Sequence, residues 1–138
     1  MDSLNKLMKE HEKIESYLKE LDVIMNSEPI NKPSLVHFLK TLSSFWDTHE
    51  LKEEKIFGSF SKKGYKIPKE EIEFEHGILN KYLTDIMNAL SSTDEDLLIR
   101  VLRTEGKKLI DKLRTHMEKE DWILIALNDN RLDAQYLE

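Results

Sequence analysis

The chain has 138 residues, 35% of them charged and 39% hydrophobic, with four Gly and three Pro, a composition that leaves room for few turns and suits one helical domain. Its formal charge of −6 excludes the basic stripe that a nucleic acid or an anionic membrane surface requires, and the one basic cluster, Lys62, Lys63 and Lys66, falls beside Gly64 and Pro68 in what reads as a loop. The absence of cysteine excludes disulfides, thiolate clusters and a cysteine nucleophile, and fits a reducing cytoplasm. No apolar h-region opens the chain and no run approaches the ~20 apolar residues of a membrane span, so a cytoplasmic protein without membrane contact is expected.

Ser3 is placed to cap a first helix. Behind it Leu4, Leu7, His11, Ile14, Leu18, Leu21 and Met25 alternate at spacings of three and four, the inner seam of a bundle helix that runs to about Asn26. Two prolines and an asparagine make 27–33 a connector, and Ser34 is expected to cap helix two, whose seam is Leu35, Leu39, Leu42, Trp46, His49, Glu53, Ile56 and Phe60. Residues 58–68 read as the next loop. Helix three is expected from near Lys69, with Ile72, His76, Leu79, Leu83, Ile86 and Leu90 inward. The segment SSTD, 91–94, caps helix four, which carries Leu98, Leu102, Glu105, Leu109, Leu113, His116, Glu120, Ile123 and Leu127. The expected fold is all-α: an antiparallel up-down-up-down four-helix bundle with its core over about 3–127 and a polar tail over 128–138 that leaves the bundle.

Each seam carries a histidine where leucine would otherwise stand, and two carry a glutamate as well. HELKEEKIF at 49–57 sets His49 and Glu53 one turn apart on one face, and HMEKEDWIL at 116–124 repeats the pattern with His116 and Glu120. A carboxylate at a core position is costly unless paired. An imidazole beside a carboxylate that can bridge suits a borderline metal such as iron, manganese or zinc.

Distances from the turns test whether these residues meet. His11 lies 15 residues before Asn26 and His49 lies 15 after Ser34, while Glu53 and His76 each lie seven from Phe60 and Lys69, so three helices share a level. Helix four fits less well. Asp94 to His116 is 22 residues against 14 from His76 to Leu90, a surplus of roughly 12 Å of helix. Either its first turns fold over the end of the bundle, bending near Gly106, or the boundary lies elsewhere.

A single histidine on an apolar face is ordinarily a hydrogen-bonded core residue; His11, His49, His76 and His116 taken together with Glu53 and Glu120 point to a metal site instead. His37 lies roughly 18 Å along the helix from His49, too far to join. Glu12, Glu50, Glu54 and Glu75 neighbour the histidines in sequence but fall off the seams, and Glu105 reads as a partly solvated seam residue. Glu73 and His76 make one Glu-x-x-His pair, where a ferritin-like site would use two. Trp46, Phe45 and Phe57 flank the site as core residues able to wall a pocket for a small gas.

In chain order, His11, then HELKEEKIF, then KIPKEEIEFEHGIL with its Glu75-His76 pair, then HMEKEDWIL resemble the blocks of the hemerythrin-like, or HHE cation-binding, family over roughly residues 8–127. The resemblance implies two non-haem iron ions, oxo- or hydroxo-bridged, with His11, His49, His76 and His116 as terminal ligands and Glu53 and Glu120 as bridging carboxylates. Oxygen-carrying hemerythrins typically have a second histidine on the third helix, one turn after the first. Here that position is Asn80, which brings the chain closer to the branch that senses iron or oxygen, or handles nitric oxide and repairs iron centres. The expected function is binding or sensing of a diatomic gas, oxygen or nitric oxide, or of peroxide, at a position left open on the metal, rather than turnover. A di-iron reductase or iron-centre repair protein, and a structural module held together by metal, are the alternatives.

Overall fold

The computed structural model describes residues 2–27 and 29–128, and every regular element among them is helical. α1 spans Asp2–Met25, α2 Lys32–Lys62 and α3 Lys69–Leu90. The fourth helix runs without a break through α4 (Glu95–Val101), a π-helical turn (Leu102–Gly106) and α5 (Lys107–Asn128). The Ser3 side chain expected to cap α1, and the tail beyond Asn128, lie outside the described residues. No described helix is long and apolar enough to cross a membrane.

The boundaries of α2 differ from the expected ones at both ends. Its N-cap is Asn31, whose side chain accepts a hydrogen bond from the Ser34 N–H at 3.1 Å, and Pro33 sits in the first turn, where a missing N–H costs nothing. Ser34 therefore donates to the cap instead of forming it. At the other end the helix does not yield to a loop at Gly58. Phe57 and Phe60 are buried against Leu4, Ile72 and Leu124, and this packing carries the helix on to Lys62. Termination falls to Gly64 at φ +99°, a backbone region that glycine enters without a Cβ penalty. The Tyr65 N–H reaches the Phe60 carbonyl at 3.2 Å and the Gly64 N–H reaches that of Ser61 at 3.1 Å, the paired bonds of a Schellman stop.

The fourth helix absorbs its surplus length by overshooting α1. α4 packs on α3 and not on α1. Its inner side is covered by the connector, where Ile30 joins the core and Lys32 pairs with Glu95 at 3.7 Å. The bend expected near Gly106 takes the form of the π turn, which re-phases the helix so that Leu102 and Gly106 are buried while Glu105 is half-buried. A Cβ on Gly106 would stand 2.7 Å from Met25 Sδ, so the glycine leaves room for the Met25 side chain against this turn.

Two apolar clusters divide the interior. One gathers Leu4, Leu7, Phe57, Phe60, Ile72, Ile123, Leu124 and Leu127; the larger runs from Ile14 and Trp46 to Leu83 and Leu98. Between them lies a buried polar layer made of His11, His49, Glu53, His76, His116 and Glu120. On α1 and α3 the polar residue is one turn from a member of each cluster, as in Leu7, His11 and Ile14 or Ile72, His76 and Leu79; on α2 and α5 a His and a Glu one turn apart span the gap, as in Trp46, His49, Glu53 and Phe57 or Leu113, His116, Glu120 and Ile123. Replacing Asn31 by Ala should lower stability by about 1 kcal/mol, whereas Ser34→Ala should change it by less than about 0.5 kcal/mol. Denaturant titration followed by circular dichroism, at one fixed metal content, distinguishes the two; equal losses would return the cap to Ser34.

Candidate metal centre

All six residues of the expected set converge. Glu53 Oε2 lies 3.3 Å from His11 Nε2, and Glu53 Oε1 lies 3.2 Å from His49 Nε2 and 3.5 Å from His76 Nε2. Glu120 Oε1 lies 3.3 Å from His11 Nε2, and its Oε2 lies 3.5 Å from His76 Nε2 and 2.9 Å from His116 Nε2. The histidines fall into two pairs, His11 with His49 and His76 with His116, their ring centroids 4.7 and 4.8 Å apart. Each pair forms a group with both carboxylates in which the four ligand atoms lie within 4.8 Å of one another. Glu53 and Glu120 thus belong to both groups.

The donor set fits a metal. Nε2 of His49, His76 and His116, Oε1 of Glu53 and both oxygens of Glu120 are buried without a hydrogen-bond partner, because contacts this close are poorly directed for hydrogen bonding. Buried polar atoms are nearly always satisfied, and each exception costs about 1–3 kcal/mol. One cation per group would satisfy them all, and nitrogen with carboxylate oxygen is a donor mixture suited to first-row metals.

The outward nitrogens are held by a second set of carboxylates that lie off the apolar seams. His49 Nδ1 pairs with Glu10 at 2.8 Å, His116 Nδ1 with Glu75 at 2.8 Å and His11 Nδ1 with Asp121 at 2.7 Å. Glu10 in turn receives Lys52 at 2.7 Å; Glu75 receives Lys119 at 3.0 Å, and Lys119 also pairs with Glu71. Such partners fix the proton on Nδ1 and leave the Nε2 lone pair facing inward. His76 is the exception, since its Nδ1 stands 3.6 Å from both Glu50 and Glu54 and makes no hydrogen bond.

A repeat underlies this arrangement. Glu-His occurs at 10–11 and 75–76, and His-x-x-Lys-Glu at 49–53 and 116–120. In each half the Glu of the first motif holds the His of the second, and the Lys of the second holds that Glu. The residue after each core Glu, Glu54 or Asp121, faces the histidine of the opposite half. These spacings are readable in the sequence; what hid them is that Glu10, Glu75 and Asp121 do not lie on an apolar seam.

The halves are not identical. Where one has Met117 the other has Glu50, which is buried rather than turned off the seam, and where one has Leu113 the other has Trp46. The Trp46 ring is fully buried, with its centroid 5.6 Å from those of His49 and His76 and 6.0 Å from that of His116, and it closes one end of the layer. Asn80 is half-buried. His37, Glu12 and Glu73 are exposed and join none of the groups of ligand atoms. Grooves of about 370 and 390 Å³ run on either side of α5, one floored by His116 and Leu79, the other by His11 and Met117.

Without metal the layer holds protons. Burial disfavours a charged His11, but the carboxylates of Asp121, Glu120 and Glu53 outweigh it and raise its pKa to about 11. Burial likewise opposes charge on His76, and Glu120, Glu53 and Glu50 raise it to about 10; His116 is raised against its burial by Glu120 and Glu75. Glu53, though buried, is held well below the usual carboxylate range by the imidazoles of His11, His49 and His76. Burial pushes Glu50 up to about 7, with His76 opposing.

Protons and metal compete for the same Nε2 atoms, so a raised imidazole pKa weakens metal binding at low pH. Affinity for a divalent cation should rise with pH across the neutral range, up to the region of about 10 to 11 where His76 and His11 deprotonate unaided. Calorimetry at pH 7 in buffers of different ionisation enthalpy should record proton release on binding, and none would contradict this electrostatic account. Glu75→Ala should lower affinity by roughly 10- to 100-fold, the usual cost of removing the partner of a ligating histidine; unchanged affinity would leave Glu75 without that role.

No curated protein and no solved structure matches the chain. A family model, that of the hemerythrin HHE cation binding domain, matches residues 2–127, nearly the whole of the described chain, including both halves of the polar layer. The chain belongs to the hemerythrin HHE cation-binding family.

Proposed function

We propose that the chain is a cytoplasmic non-haem di-iron protein that binds or senses a diatomic gas, oxygen or nitric oxide, or peroxide, within a single domain whose four helices alternate in direction. The sharing of Glu53 and Glu120 between two groups of donors carries this reading. A lone tetrahedral site would use four donors; two histidine pairs with both carboxylates in common suit two ions. His11 and His49 would hold one, His76 and His116 the other, and the carboxylates would span both. Four positive charges from two divalent ions are partly offset by two carboxylates, with neutral imidazoles completing a set that a dry core tolerates.

Iron, when bound, supplies a redox-active centre with coordination positions beyond those the six side chains fill. The chain's own part is to bind, orient and exclude water. Glu10, Glu75 and Asp121 aim three imidazoles, Trp46 closes one end of the layer, and Leu7, Phe57 and Leu124 close the other. Access runs along the grooves that reach His11 and His116, wide enough for a small molecule. Asn80 stands where an oxygen carrier would add a histidine, and an amide is a poor iron ligand beside imidazole, so a position for an exogenous ligand stays open.

Metal analysis of the purified protein should give two iron ions per chain, and its absorption spectrum should change on adding air, nitric oxide or azide to the anaerobic sample. Glu53→Ala and Glu120→Ala should each empty the site more than His76→Ala, because a carboxylate serves both ions and an imidazole one. A stoichiometry of one, zinc after growth in iron-rich medium, or a spectrum indifferent to all three ligands would overturn the proposal.

A further inference from the structure

Glu50, Glu54 and the outward nitrogen of His76 form a third group of ligand atoms lying within 4.8 Å of one another, on the outer side of the polar layer between α2 and α3. We propose that this group is a receiving site for a divalent cation, from which the centre is loaded; the inference rests on the reading of the inner layer as a metal centre.

Three features set this group apart from an ordinary cluster of acids. First, His76 Nδ1 stands 3.6 Å from Glu50 Oε2 and 3.6 Å from Glu54 Oε1. That is too long for a hydrogen bond, but donors about 2.0–2.2 Å from a shared metal are themselves roughly 3.0–3.6 Å apart. Second, the atoms are buried and lack partners. His76 is 2% exposed and Glu50 8%, and neither His76 Nδ1 nor Glu50 Oε1 has a hydrogen bond.

Third, the other half of the molecule shows what orientation alone requires. There Asp121 meets His11 Nδ1 directly at 2.7 Å, and Met117 stands where Glu50 would be. The second carboxylate is therefore superfluous to aiming the ring. Glu10 and Glu75 are each paired with a lysine, whereas among the described residues neither Glu50 nor Glu54 pairs with a lysine or arginine. Their charge is left for another cation.

The site reaches solvent through Glu54, whose side chain is 39% exposed, and reaches the centre through His76. The two nitrogens of His76 face different donors, Nδ1 the outer group and Nε2 the carboxylates Glu53 and Glu120, so one ring adjoins both the receiving site and the centre.

The test is uptake of Co2+ by the metal-free full chain, followed by its visible absorption in a stopped-flow instrument and by metal analysis at the end. Glu50→Met, which installs the residue of the other half, Glu54→Gln and the double variant should reach the wild-type metal content, with uptake slowed about tenfold or more in the double variant through loss of local attraction and capture. Glu20→Gln and Glu70→Gln, exposed carboxylates away from the group and from the grooves over His11 and His116, should load at the wild-type rate. Wild-type rates in the double variant overturn the receiving site, and so does a loss of final metal, which would make Glu50 and Glu54 part of the centre itself. If burying Met at position 50 unfolds the chain, Glu54→Gln alone decides by the same rate comparison. A wild-type chain that takes up no Co2+ and no Fe2+ would instead sink the reading of the inner layer.

Discussion

Two carboxylates, Glu53 and Glu120, stand fully buried in the middle of the bundle, and every other feature of the polar layer answers to them. The effective cost of burying an ion in a protein interior is several kcal/mol, against a total stability of about 5–15 kcal/mol for a domain. Isolated, such a pair would be ruinous. Here each carboxylate is surrounded by imidazoles, and charge alternates outward along Glu53, His49, Glu10 and Lys52 on one side and along Glu120, His116, Glu75 and Lys119 on the other. The two apolar clusters then clamp the layer from both ends, each fully buried leucine or phenylalanine contributing roughly 1.5–3 kcal/mol.

Repetition makes this arrangement possible with few residues. A Glu-His pair on one helix and a His-x-x-Lys-Glu run on the next form one half, and the second two helices form the other. Because the residue after each core Glu reaches across to the opposite half, neither half is complete alone. The departures from the repeat are therefore informative. Trp46 for Leu113 and Glu50 for Met117 lie one turn apart on α2, and both face His76. Chemical asymmetry is thus concentrated on one histidine, the one whose outer nitrogen lacks a close partner.

Periodicity alone determined the helical class, the start and end of α3 and the four histidines and two glutamates of the polar layer, though not the burial of Glu50, because a polar residue on an apolar seam breaks a pattern that burial otherwise enforces at every turn. What periodicity could not weigh was competition between local signals. Asn31 and Ser34 are both good caps, and only the docking of the connector selects the first; Gly58 is a weak breaker that Phe57 and Phe60 override by burial. The surplus length of the fourth helix was visible as arithmetic, but its outcome depended on Met25 meeting Gly106 and on the connector covering α4. Periodicity does not mark the carboxylates that aim the histidines, for a related reason. A side chain such as Glu10 or Asp121 lies at the edge of its helix, half in solvent, where hydropathy has no preference. Only the neighbouring helix gives it a partner, so composition and spacing decided which residues enter the core, and tertiary packing decided which of the remaining charges reach back to hold them.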